Sequence, residues 1–509
     1  MPSEIALPRH LGPITRLPVE LLGLSWTSLS FKDRLAVSHV SRAWRAIAVS
    51  CPALWTDIHL WSRSTSDDIS SFTHNAAAGV QCFARSKSLA CRVTFTLHGE
   101  AVDPLFRSAI IHLLSTNYTR IDSLEVNTTC CKGIDSWMRD IFDNLPRLPF
   151  MRSLHLHSIP RFLDLDTLGV TMDDFETSWY SSWGHPLKLF APDTVLGPRF
   201  PYLREVSVDV LFLECVSAPL PGVERVKCYI YAMRSLERVL QAFPSLSSLT
   251  IVIECSWSVT DVNDMAESMI DESTAPNLVA LHVTNCTHIP GLFYHPNTLG
   301  HAYPKRYSTQ YQHWPHNASD WTEVFEIYED VEMARQMSFH RRHRRLSLSA
   351  KDPRGFSRTL YFPADSVSNS QRFLDLGFFF HWISTSLTSI AVDAELWRWL
   401  GRFLERVPSL KRIVVFVGRS GLPNMYPVCN PDSFHGLTTT ALVPATLSRL
   451  QIVELRAMRG TRVAATVDKV ITFMETVPGR PMVLKLVRIK MHPIAATLLS
   501  VYAGKVVFA

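Results

Sequence analysis

A chain of 509 residues is longer than one ordinary compact domain, unless it is built from repeats or closes as a barrel. With 47% apolar and 19% charged residues it has the composition of a protein with a large core, not of a disordered one. A formal charge of +5 is small for this length and gives no reason to expect nucleic acid as a partner.

The tail over residues 1–16, MPSEIALPRHLGPITR, has neither the basic stretch nor the apolar core of an export signal. No later run approaches the ~18 apolar residues of a membrane span; the longest, GFFFHWI and RIVVFVG, are strand-sized or short-helix-sized. No membrane partner is expected. Ten cysteines without a CxxC pair read as buried thiols of a reducing compartment, so the expected location is cytoplasmic and/or nuclear.

Residues 17–60 are dense in large apolar side chains. Leu22, Trp26 and Leu29 share one face of a predicted helix, with Pro18 in its first turn, where a missing N–H costs nothing. Ser30-x-x-Asp33 suits the cap of a second helix. Val40, Trp44, Ile47 and Ala48 form the stripe of another, which Pro52 ends. Three short helices in roughly 40 residues are near the lower limit for independent folding. Such a bundle cannot turn all this apolar surface inward, so part of it needs a cover from another domain or another protein.

Leu17-Pro18-x-Glu20-Leu21-Leu22, then Leu29, Asp33, Leu35, Val40-Ser41-Arg42-x-Trp44-Arg45, Ile47-Ala48 and Pro52-x-Leu54-Trp55 resemble an F-box. The exit CPALWTDIHL is similar to that of the fungal F-box-like proteins. Ser25 and Trp26 stand where the pattern usually has an Ile-Phe type pair, and Arg34 where it has a leucine. The resemblance implies docking on a Skp-type adaptor, and through it on a cullin–RING ubiquitin ligase. It implies that Leu17, Pro18, Leu21, Leu22, Leu29, Leu35, Val40 and Trp44 face that adaptor. Trp55, Ile58 and Leu60 follow without a Gly/Ser-rich linker, so a rigid junction is expected, with residues 52–60 packed near RVTFTLHG.

Over residues 61–509 a second pattern recurs. PFMRSLHL (149–156), PYLREVSV (201–208), PGVERVKC (221–228), PSLSSLTI (244–251), PNLVALHV (276–283) and PSLKRIVV (408–415) all fit P-x-Φ-x-x-Φ-x-Φ, where Φ is apolar. Ile121, Leu387 and Leu450 open similar stretches without the proline. The last two apolar positions are two apart, as in a strand with one buried face. Upstream runs such as ELWRWLGRFLERV have helical spacing. Helix, turn and short strand per unit resembles a leucine-rich repeat, in which each unit buries its face by stacking on its neighbours. The expected fold is therefore α/β: a three-helix F-box, then an irregular leucine-rich-repeat-like solenoid with a parallel sheet. Stretches at about 158–199 and 285–340, rich in aromatics, His, Pro and Ser, are expected as insertions.

No nucleotide-binding, zinc-protease or serine-hydrolase motif occurs, and the 20 glycines are few for a chain that cradles a nucleotide. Cys286, His288, His313 and His316 have residue types that could bring metal ligands together, but the proline within HWPH spoils the helical pair, so no metal is expected. The basic cluster FHRRHRRLSLSA (339–350) has two readings: nuclear targeting or phosphorylation of Ser347 after Arg344-Arg345, and, favoured, a solvated helix end entering a strand at Leu346 and Leu348, with Ser347 in sheet structure. Neither catalytic residues nor a cofactor are expected.

Residues between the apolar positions of a repeat strand point to the concave face. The target-binding candidates on that face are His155, His157, Glu205, Asp209, Arg225, Lys227, Tyr229 and His282. Their mixed charge suits a protein segment better than a nucleic-acid backbone. The expected function is substrate receptor of an SCF-type ubiquitin ligase for an unknown target protein. The alternative is an F-box-like scaffold that docks without promoting ubiquitination.

Overall fold

The computed structural model describes residues 17–62, 69–97, 104–128, 147–158, 200–209, 219–230, 239–253, 275–286, 304–311, 334–342, 345–363, 386–394, 407–417, 449–458, 463–477, 479–492 and 494–509, and positions 141, 144, 145, 396, 397 and 404. The chain divides into two compact units, residues 1–247 and 248–509.

The first unit opens with helices α1 (Val19–Thr27), α2 (Phe31–Val40) and α3 (Arg42–Ser50). Pro18 sits just before α1 rather than in its first turn, and its carbonyl accepts from the Leu21 and Leu22 N–H groups. Ser30 caps α2 as expected, accepting from the Asp33 N–H at 3.2 Å. The stripe from Val40 to Ala48 is not one helix. Ser41 is extended (φ −156°) and caps α3 by accepting from the Trp44 N–H at 3.1 Å. The cap's hydrogen bond outweighs continuation of the helix, which leaves Val40 at the end of α2.

A 3-10 turn at Pro52–Trp55 then leads into β1 (Asp57–Ser62), followed by α4 (Ile69–Arg85), β2 (Cys91–Leu97), α5 (Pro104–Asn117), β3 (Ile121–Thr128), β4 (Ser153–Ser158), β5 (Glu205–Asp209) and β6 (Arg225–Ile230). All six strands run parallel, each paired with the next. Ile58, Leu60, Val93, Phe95, Leu124 and Val126 are buried on one face. Gly79 lets α4 approach closely here, since a Cβ would lie 3.1 Å from both Leu60 and Leu113 side chains.

The proline-bearing pattern has a structural cause. In Leu148–Met151, Phe200–Leu203, Leu220–Val223 and Phe243–Leu246 the fourth N–H donates to the first carbonyl at 3.1–3.2 Å, with proline second. Proline pre-sets the φ that this turn position needs. The first and fourth side chains of each turn are buried, worth about 1.5–3 kcal/mol apiece. The next N–H reaches the preceding repeat: Arg204 to the Arg152 carbonyl at 2.9 Å, Glu224 to Arg204 at 2.9 Å, Ser247 to Glu224 at 2.8 Å. Turns thus stack into a ladder that sets the strand register.

The second unit contains β7 (Ser248–Ile253), β8 (Ala280–Cys286), β9 (Arg306–Tyr311), β10 (Gln336–Arg342), β11 (Arg345–Lys351), β12 (Ser357–Pro363), β13 (Ser389–Asp393), β14 (Arg412–Val417), β15 (Ile452–Ala457), β16 (Val463–Ala464), α6 (Val467–Thr476), β17 (Val483–Val487), β18 (Ile489–Lys490), α7 (Ala495–Leu499) and β19 (Lys505–Phe508). Its sheet runs β7-β8-β9-β12-β11-β10-β13-β14-β15-β17-β19. The same proline turns recur at Ala275–Leu278 and Val407–Leu410. Buried Trp397 donates to Thr476 Oγ1 at 2.9 Å and packs on Phe473, fixing α6 against the sheet. The architecture is α/β and solenoid-like, with a mostly parallel sheet.

Within this mostly parallel sheet β10, β11 and β12 pair antiparallel. Two expectations need correction. The stretch at 285–340 is not wholly an insertion: β9 and most of β10 lie within it and belong to the sheet. In β9 the alternation of buried Tyr307, Thr309 and Tyr311 has a period of two, but its sequence lacks the P-x-Φ-x-x-Φ-x-Φ pattern of the other repeats. The cluster at 339–350 is no helix end; it spans the β10–β11 pair, with Ser347 in β11 and its hydroxyl on the His340 carbonyl at 3.3 Å. The stretch at 159–199 lies outside the described residues.

Candidate functional site

The N-terminal bundle has an inside and an open face. Leu22, Trp26, Phe31, Ala48, Leu54 and Trp55 are buried within the chain. Trp26 packs on Trp44 at 5.1 Å between ring centroids, and the Trp55 indole N–H donates to the Ala48 carbonyl at 2.8 Å. Arg34, which stands where the F-box pattern usually has a leucine, is also buried. It donates to the Leu54 carbonyl and to Asp57 Oδ2, both at 2.8 Å, tying α2 to the 3-10 turn and to β1. Burial of a guanidinium requires such partners.

Leu17, Val19, Leu21, Leu24 (68% exposed) and Val40 (64%) carry large apolar surface into solvent. Isolated exposed leucines are ordinary, but several within one short helix and its flanks mark a contact surface. Of the adaptor candidates, Leu17, Pro18, Leu21 and Val40 are exposed, and Leu29, Leu35 and Trp44 are half-buried. Leu22, at 3% exposure, is a correction: it belongs to the bundle's own core. The helical period turns it away from Leu21 and toward Trp26. Val19 and Leu24 were missed, although their place on α1 beside Leu21 was a sufficient signal.

The second candidate surface is the polar face of β1–β6. The register sets Glu125, His155, Ser207 and Lys227 abreast, with Asn127 and His157 in the next row and Asp209 facing Tyr229. Arg225 pairs with Glu205 at 2.9 Å. The His157 ring meets His155 and Tyr229 edge-on at 6.2 and 5.1 Å, and the Lys227 ammonium lies 4.8 Å from the Tyr229 ring centre. Burial, then the charges of His155 and Lys227, push His157 down to about 4. Burial also lowers His155. Burial works to raise Glu125, but hydrogen bonds from Asn127 and Thr94 and the nearby histidines hold it below the usual carboxylate range. Near neutral pH this face therefore presents uncharged imidazoles between a carboxylate and an ammonium. His282 belongs to the second unit, in β8, where its Nδ1 lies 2.6 Å from Ser308 Oγ.

Among the described residues no cluster of three His, Cys, Asp or Glu side chains could hold a metal. Of the four metal candidates Cys286 ends β8, while His288, His313 and His316 lie outside the described residues. Among the described residues no helix is long and apolar enough to cross a membrane.

Residues 14–61 match the F-box-like family. The class of the N-terminal unit is therefore F-box-like, a protein-interaction module whose members generally bind Skp1-type adaptors. Comparison with curated proteins found no match.

Proposed function

We propose that this chain is a substrate receptor of an SCF-type cullin–RING ubiquitin ligase. Its F-box-like unit docks on a Skp-type adaptor, and its leucine-rich-repeat-like array holds a target protein. The observation that carries this reading is the open apolar face of Leu17, Val19, Leu21, Leu24 and Val40 within a segment of F-box-like sequence. The chain performs no chemistry in this reading; it raises the local concentration of target lysines at the ligase. It acts in the cytoplasm and/or nucleus. The polar face of β1–β6, with Glu205, Arg225, Lys227 and Tyr229, is the candidate target surface, and its mixed charge favours a protein segment.

Replacing Leu17, Pro18 and Leu21 together by alanine tests the docking. All three are exposed, so the fold should keep its melting temperature while capture of a purified Skp-type adaptor is lost. Unchanged capture refutes the assignment. Copurification of the adaptor without a cullin would favour the non-ligase scaffold instead.

A further inference from the structure

The second unit has a groove of about 350 Å³ on the polar face of its sheet, lined by residues of β10–β15. Its floor follows from side-chain size. Ser349, Ser338 and Ala391 stand abreast on β11, β10 and β13, and Val414 on β14 continues the row. Three small side chains on adjacent strands leave a dent that larger neighbours wall in. Lys351, Gln336 and Arg412 rise on one side, Phe416 and Arg456 on the other.

The charges are uneven. Lys351, Arg412 and Arg456 line the groove, and no carboxylate is among its lining residues; two buried carboxylates adjoin it, Glu454 on β15, and Asp393 on β13, which stands beside Phe416. Glu454 is 1% exposed. Its Oε2 accepts from Arg412 Nη2 at 2.7 Å and its Oε1 from Arg456 Nε at 2.6 Å. Burial would raise its pKa, but these two arginines hold it below the usual carboxylate range. Glu454 thus aims both guanidiniums. The Arg412 Nε is itself buried and without a hydrogen-bond partner, at a site where an acceptor is lacking. Phe416 is held edge-on by His340, whose Nδ1 lies 3.1 Å from Asp393 Oδ1, and the Arg456 guanidinium lies 6.0 Å from its ring centre.

We propose that this groove binds one dianionic oxyanion of the phosphate class. Three cationic side chains around one dent suit a group that carries about −1.5 to −2 at pH 7 and offers several acceptor oxygens. Guanidinium N–H groups, an ammonium, the Gln336 amide and the Ser338 hydroxyl supply donors from several directions, as a tetrahedral anion requires, while Ser349 shares a hydrogen bond with Thr359 at 3.0 Å. The donors surround one dent and form no long track, which favours a single phosphate over a nucleic-acid backbone.

The full-length chain is titrated, without adaptor, by calorimetry and phosphorus NMR. The probes are inorganic phosphate, a short phosphoserine peptide with its serine and aspartate counterparts, and a single-stranded oligonucleotide. Saturable binding of phosphate and of the phosphoserine peptide is expected, weakened about tenfold or more by Lys351→Glu and by Ser338→Leu, which fills the floor without changing charge. Lys490→Glu, exposed on β18 outside the groove, should leave affinity unchanged. Tighter binding of the peptide than of inorganic phosphate assigns the group to a protein segment, and the reverse to a small phosphate; both support the site. Equal affinity of wild type, K351E and S338L overturns it, as does equal loss in K490E or preference for the oligonucleotide. The proposal is independent of adaptor docking, so failure of one leaves the other standing.

Discussion

Replacing Trp55 by alanine should loosen the joint between the F-box-like unit and the repeat array. Trp55 is fully buried, its indole N–H donates to Ala48, and the Arg85 guanidinium from α4 lies 4.6 Å from its ring centre. Removing the ring takes away roughly 200 Å² of buried aromatic surface. At about 25 cal/mol per Å² that is about 5 kcal/mol. Partial collapse of the cavity brings the expected cost to about 3–5 kcal/mol; the lost indole hydrogen bond adds about 0.5–1 kcal/mol, since the Ala48 carbonyl still accepts from the Cys51 N–H. Trp55→Phe keeps most of the packing and loses the hydrogen bond, so about 1–2 kcal/mol is expected. A chain of two compact units need not unfold in one step. The local opening free energy is therefore read from amide hydrogen exchange in peptides covering residues 51–62. The order wild type, W55F, W55A in falling protection is predicted. Protection in W55A within about 0.5 kcal/mol of wild type would refute the reasoning, because the ring would then not support the joint.

Arg34→Leu, which installs the residue usual in the F-box pattern, should cost about 2–3 kcal/mol, because the Leu54 carbonyl and Asp57 lose their donor. Asp57 is 40% exposed, which keeps this below the cost of breaking a fully buried pair; a double-mutant cycle with Asp57→Ala giving coupling under about 0.5 kcal/mol would contradict it. His157 gives a pH dependence. Its folded pKa, about 4, lies below the unfolded value near 6.5, so between these values the unfolded chain binds more protons. Stability of the first unit should be full above pH 6.5 and fall as pH drops toward 4, with His155 acting in the same direction. His157→Gln should flatten that decline in denaturant midpoints, and parallel curves for the two proteins would argue against a buried neutral imidazole.

What the sequence made legible is what is set locally. Helix caps, such as Ser30 with Asp33, depend on residues three apart, and the proline turns close within four. Their recurrence exposes the stacking period before any tertiary contact is known. Ser41 shows the limit: its cap was equally local, but the apolar spacing across it matched a continuous helix too, and period alone could not choose. The β10–β12 strands were hidden for another reason. Antiparallel pairing such as Ser338 with Ser349 is decided by register across the sheet, with no proline turn to announce it. The groove was least legible of all. Glu454 reads as an ordinary outward position of a repeat strand, and only its pairing with Arg412, 42 residues earlier, makes it a buried anchor.

The apolar excess of residues 17–60 divides between two faces of the bundle. Repeat arrays need a terminal element that hides the end of their core. The F-box-like unit performs this task from within the chain: Ile58 and Leu60 enter the sheet core through β1, which pairs with β2 in register from Asp57 and Arg92 onward. Phe31 stacks near His59 at 6.4 Å, and Arg34 fastens Asp57. These contacts use the side of the bundle that carries Leu54 and Trp55. They leave Leu17, Val19, Leu21, Leu24 and Val40 uncovered. One segment therefore caps the array with one face and keeps the other open. The junction has no flexible linker to absorb motion, so a partner held on the open face is held at a fixed angle to β1–β6. A receptor that works by effective concentration gains from such stiffness, because a loose joint would spread the target over a larger volume.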